Sequence, residues 1–153
     1  MPPGPADVCH HACPDTIKFK KIGKPDQLII RSAFPVGVAL DPENEAFHVV
    51  LSNANGVVYE GSLPAGALEQ RGKKFRFVDR AARSGAGTYD GLFKVEVAAA
   101  QADAGTRVTI EAYGDLDAAT LAEMTITITL GDDAVYRADV WATKAYGWIN
   151  RHR

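Results

Sequence analysis

EMTITITL, residues 123 to 130, decides the fold. Met124, Ile126, Ile128 and Leu130 alternate with Thr125, Thr127 and Thr129. An extended backbone sends successive side chains to opposite faces, so the apolar set shares one face and the hydroxyls the other. On a helix both sets would be scattered around the circumference. The segment is a strand with one buried face.

The same period recurs outward from it. In DTIKFKKI, Ile17 and Phe19 alternate with Lys18 and Lys20, and in FHVVLSN, Phe47, Val49 and Leu51 share a face. QLIIRSAF, VVYEGS, KKFRFV, GLFKVEV, RVTIEAY and AVYRADVW complete a set of about nine short strands. Turn signals separate them: NANG, LPAG, ADAG and GDD. Asn-Gly tolerates positive φ, so FHVVLSNANGVVYEG reads as a tight hairpin. AATLAEM and VAAAQA resemble helix but are too short to stand against the strands around them. The expectation is an all-β chain, a single antiparallel β-sandwich of immunoglobulin-like or jelly-roll-like form, with a closed barrel as the alternative. No repeat of fixed period is present.

The chain has 153 residues, 46% hydrophobic and 24% charged, enough for one domain with a sizeable core. A net charge of −2 gives no electrostatic case for nucleic acid or an anionic membrane. No apolar run approaches the roughly 18 residues of a spanning helix. The opening MPPGPADV lacks the basic and apolar regions of a signal peptide. A cytosolic protein, or a chain cut from a longer exported precursor, fits that opening. Four prolines within residues 1 to 14 mark an extended leader, with residues 15 to 153 as the sandwich domain.

CHHAC, residues 9 to 13, lies in the leader and gathers two cysteines and two histidines. A c-type haem needs histidine directly after the second cysteine, where this chain has Pro14. Zinc or copper would accept thiolate and imidazole ligands from Cys9, His10, His11 and Cys13. Five consecutive residues do not readily surround one ion, so His48, His152 or a neighbouring chain would complete the set. A Cys9–Cys13 disulfide needs only a turn that brings the Cα atoms within about 7 Å. Disulfide, free thiols and metal all remain open at this point.

The other constellations have plain readings. GAGTYDG, residues 85 to 91, lacks the G-x-G-x-x-G spacing and opens no helix that could hold a phosphate. Ser84 lacks the first glycine of a nucleophile elbow, and the histidines are too few and distant to propose a triad. DPENE, GDLD and GDD, at 41–45, 114–117 and 131–133, are acidic turns in which calcium is the metal to consider. RGKKFRFVDRAAR, residues 71 to 83, places Phe75 and Phe77 inward and Lys74 and Arg76 in solvent. A threonine row such as Thr125, Thr127 and Thr129 can order water at an ice-binding surface, but one row makes no flat array. Trp141, Tyr146 and Trp148 would form a platform for a sugar ring or partner if exposed, and would close the core if buried.

Two long stretches carry a resemblance. LDPENEAFHVVLSNANGVVYEGSLPAGAL with KKFRFVDRAARSGAG, and YGDLDAATLAEMTITITLGDDAVYRADVWATKAYGW, resemble a family of uncharacterised β-domains from large exported proteins of environmental bacteria. A G-D-L segment, a methionine-led strand, an L-G-D-D turn and a following tryptophan carry the likeness over roughly residues 16 to 149. The resemblance implies an extracellular or cell-surface module. In an oxidising compartment Cys9 and Cys13 would pair as a disulfide, with no cofactor. The resulting expectation is a non-enzymatic structural, adhesive or binding module. Its partner would be a protein or cell-surface component, or a second copy of the chain. The alternatives are a metal- or redox-linked protein centred on CHHAC and a filament subunit that donates its leader strand to a neighbour.

Overall fold

In a computed structural model, residues 14–20, 22–35, 37–98 and 105–151 are described. Among them twelve strands form two antiparallel sheets that pack face to face as a β-sandwich. The larger sheet holds β1 (Asp15–Lys18), β2 (Asp26–Phe34), β5 (Glu69–Arg71), β6 (Lys74–Val78), β7 (Leu92–Ala98), β8 (Thr106–Gly114), β11 (Ala142–Lys144) and β12 (Gly147–Asn150). Its order is β11-β12-β1-β2-β8-β7-β6-β5. The smaller sheet holds β3 (Phe47–Asn53), β4 (Gly56–Leu63), β9 (Glu123–Leu130) and β10 (Asp133–Val140), in the order β10-β9-β3-β4.

Alternation builds the core. Met124, Ile126, Ile128 and Leu130 are buried on β9, whereas Thr125, Thr127 and Thr129 lie half-buried on the outer face. Phe47, Val49 and Leu51 of β3 join them, and Leu28, Ile30, Val95, Val97, Val108 and Ile110 of the larger sheet pack opposite. Burial of this kind stabilises by about 25 cal/mol per Å² of apolar surface.

Two bulges interrupt the period. Val58 and Tyr59 are both buried on β4, and Leu92 and Phe93 on β7, because the register shifts beside each pair. An extra residue in one strand lets consecutive side chains turn the same way. The NANG hairpin forms as expected, with Asn53 opposite Gly56 and the Asn53 side chain accepting from Asn55 N–H at 2.9 Å.

Where helix-like composition occurs, the chain does otherwise: residues 118–122 form turns and bends, and Val97 and Ala98 end β7. A 3₁₀ helix instead spans Arg80–Ser84, at the end of the basic stretch. Asp79 caps its start by accepting from Ala81 N–H at 3.1 Å, and Gly85 ends it in the left-handed region. The CHHAC leader, with the disulfide and metal expectations attached to Cys9, His10, His11 and Cys13, lies outside the described residues. No described helix is long and apolar enough to cross a membrane.

Candidate functional site

The outer face of the smaller sheet is a surface whose side chains the strand registers define. Cross-strand pairing lays it out in rows. Ala134, Thr129, His48 and Ser62 form one, Tyr136, Thr127, Val50 and Glu60 the next, and Ala138, Thr125 and Ser52 the third. Short side chains along β9 and β10 keep the face low, with Tyr136 and Val140 standing out at 72% and 71% exposed. His48 Nε2 lies 2.7 Å from Glu60 Oε2, pairing β3 with β4 across this face.

One end of the face sinks into an open depression of about 720 Å³. Ser52, Asn53, Glu123 and Thr125 give it polar groups, and Leu121 and Val140 give it apolar walls. The hairpin positions that wall. Asn53 Nδ2 donates to the Ala118 carbonyl at 2.8 Å, which holds the loop after β8 against the NANG turn. Donors, acceptors and apolar surface converge there on rigid strands, a combination suited to recognising a polar chain or a protein loop.

The sequence-predicted aromatics do not share one surface. Trp141 is buried in the core, and its backbone N–H donates to the Ala122 carbonyl at 2.8 Å. Trp148 is half-buried, with its indole N–H bound to the Ala119 carbonyl at 2.8 Å. Tyr146 is exposed in the turn between β11 and β12, at φ 63°.

Acidic residues do converge, although not all within one turn. Asp26, Asp115 and Asp117 bring carboxylate oxygens within 4.8 Å of one another. Asp26 is already engaged, accepting from Lys20 N–H and Leu116 N–H, each at 2.9 Å. Asp115 accepts from Asp117 N–H at 2.9 Å. The Asp115 charge beside Asp117 raises the Asp117 carboxyl above its ordinary range. DPENE and GDD also meet: the Glu45 side chain lies against Gly131, where a Cβ would fall 2.0 Å from a carboxylate oxygen. Glu45 itself accepts from Asp41 N–H at 2.7 Å. Each group therefore spends carboxylate oxygens on backbone donors, as turn-forming Asp and Glu do.

GAGTYDG serves the fold. Asp79 accepts from Thr88 N–H at 2.9 Å, and Asp90 accepts from Ser62 N–H at 3.2 Å and, through its carbonyl, from the Tyr59 hydroxyl at 3.0 Å. Burial, with the Asp90 charge adding, raises the Tyr59 phenol well above the ordinary tyrosine range, so it acts as a neutral donor.

A second buried carboxylate went unread in the sequence. Asp15, fully buried on β1, accepts from Arg31 N–H at 2.7 Å and Asn150 Nδ2 at 2.9 Å. It also pairs with Arg137 of β10. Arg137 Nε lies 2.6 Å from Asp139 Oδ2, an ion pair rather than a directed hydrogen bond. The cluster clamps β10 of one sheet to β1, β2 and β12 of the other. Its only sequence signal was a charge pattern, Arg137 and Asp139 on the inward side of an alternating strand.

Comparison of the chain with known protein families, with curated proteins and with solved structures found no match.

Proposed function

We propose that this chain is a non-enzymatic structural or binding module of an exported protein, engaging its partner through the outer face of the smaller sheet. The observation that carries the reading is the row pattern of Thr125, Thr127 and Thr129 between Ala134, Tyr136 and Ala138 on one side and His48, Val50 and Ser52 on the other. Such a face combines hydroxyl donors and acceptors with methyl groups at low side-chain entropy cost, because threonine is stiff at χ1. The depression at Asn53 and Glu123 adds a concave end to a flat surface. The commitment of buried Asp15 and Asp26, and of Glu45 in an exposed turn, to structural hydrogen bonds supports a scaffold role for these carboxylates.

The partner class is a cell-surface component. Cosedimentation of the full chain with isolated bacterial envelopes should be saturable. A Thr125→Arg, Thr127→Arg double variant should fold normally and lose at least tenfold in affinity, since both side chains lie on the outer face. Equal binding by the variant sinks the face assignment, and binding that never saturates sinks the module reading itself.

A further inference from the structure

We infer that β10 is a pairing edge for a second copy of this chain, joining two smaller sheets across a two-fold axis at Ala138. The sandwich has four sheet edges, and three are guarded. β5 and β11 are three residues each, EQR and ATK. β4 carries a bulge, and Asp90 caps its Ser62 N–H. Short strands, charges and bulges are how proteins blunt edges. β10 has eight residues, no proline or lysine, and an unbroken register with β9. Its inward Arg137 and Asp139 are neutralised within the chain by Asp15 and by each other, leaving no net inward charge between them to repel a partner strand. Among the described residues, no strand pairs with its other side.

The hydrogen-bonding phase identifies the groups on that open side. Gly131 and Asp132 form a two-residue turn that closes on the Leu130–Asp133 pair, and Trp141 N–H bonds back to the Ala122 carbonyl. Odd-numbered residues of β10 thus bond to β9, and antiparallel alternation turns the backbone groups of Ala134, Tyr136, Ala138 and Val140 outward. A second β10 must meet them even residue to even residue.

Charge and the number of backbone bonds then select the register. Centring the pair on Arg137 opposes two arginines. Centring on Tyr136 opposes Asp133 and Asp139, and centring on Asp139 opposes two aspartates. Centring on Val135 opposes unlike charges, Asp133 to Arg137, but joins only Ala134 and Tyr136 through their outward groups, about four hydrogen bonds. Centring on Ala138 sets Arg137 of each copy opposite Asp139 of the other. The same register lays Tyr136 over Val140 on the outer face, an aromatic against a β-branched side chain, both exposed in the single chain. About six backbone hydrogen bonds form across the axis, where the small Ala138 meets its own copy. The dimer is self-complementary, as a two-fold interface requires.

This inference goes beyond the envelope-binding reading, and its readout is mass, which does not depend on any envelope partner. Sedimentation equilibrium of the full chain from about 1 to 100 μM should give a dimer. Ala138→Pro removes an outward N–H without breaking a β9 bond, so it should give a monomer with an unchanged far-UV spectrum. If that variant unfolds, Tyr136→Lys, at an exposed side chain, should weaken the dimer at least tenfold. The register has its own test in a Cys9→Ser, Cys13→Ser background. There Ala138→Cys should cross-link to its copy under mild oxidant, while Ala134→Cys should not. A monomer throughout the concentration range, a dimer indifferent to Tyr136→Lys, or equal cross-linking at 134 and 138 would each overturn the inference.

Discussion

Asp15 and Asp26 sit on adjacent strands, both buried, and are held in opposite ways. Asp15 faces a cation: Arg137 reaches it from the other sheet, with Asn150 and the Arg31 amide completing its shell. Asp26 faces backbone, taking the Lys20 and Leu116 amides, and two more carboxylates, Asp115 and Asp117, lie within 4.8 Å of it. The first joins layers and the second pins loops. One residue type thus does two structural jobs, and the difference lies in whether its partner carries a charge.

That difference sets an order of effects. Of the two carboxylate changes Asp15→Ala should cost the more, about 3 kcal/mol, because it strips a partly buried arginine of a partner. Arg137 keeps some contact with water, which holds the loss at the low end of the range for broken buried pairs. Urea titration measures it, and a loss under about 1 kcal/mol would mean that the Arg137 pairing does not hold the two sheets together. Ile128→Ala supplies an apolar yardstick of similar size, with an expected cost of about 2–4 kcal/mol from the cavity it opens in β9. Thr127→Ser, on the opposite face of the same strand, should cost only about 0.5 kcal/mol. Equal costs at 127 and 128 would contradict the burial of one face alone. Asp26→Asn should cost about 1–3 kcal/mol, since one of two amides loses its acceptor. The change should also lift hydrogen-exchange protection from Lys20 and Leu116 more than from the β2 ladder, and uniform loss would deny it the role of loop pin.

The smallest effect lies in titration. Asp117 has a raised carboxyl pKa, chiefly from the Asp115 charge. Native protein therefore binds more protons than the unfolded chain between the two pKa values. This group opposes folding as pH rises through that window and is silent below it. Asp115→Asn should bring the Asp117 pKa down towards 3.8, its ordinary value, in a carboxyl-carbon NMR titration. An unchanged pKa would mean the neighbouring charge is not the cause.

Strands with four or more alternating residues were legible, EMTITITL above all, because burial of one face imposes the period on the sequence. EQR, ATK and GWIN were not, since β5 and β11 are too short for a period and are fully solvent-facing. The bulges at Val58 and Phe93 depend on pairing partners and leave no local mark. The 3₁₀ helix did leave one: Asp79 and Gly85 bracket RAARS as caps, but basic residues alternating with phenylalanine drew that stretch towards strand. For the site, GDLD was visible as an acidic turn. Its meeting with Asp26 was not, because the β2–β8 register that places Asp26 opposite Gly114 links residues far apart in the chain. The clamp at Asp15 was hidden for the same reason, as it draws on four strands from both sheets.

The pairing of β1 with β12, Asp15 opposite Asn150, carries a kinetic consequence. During synthesis β1 can join β2 early, but its other edge stays open until Asn150 has emerged, on the order of ten seconds later at ordinary elongation rates. Arg137 likewise appears long after the carboxylate it must reach. Closure of the larger sheet therefore waits for β12, and a nascent chain stalled before β12 should present a sticky, protease-sensitive edge that the folded domain conceals.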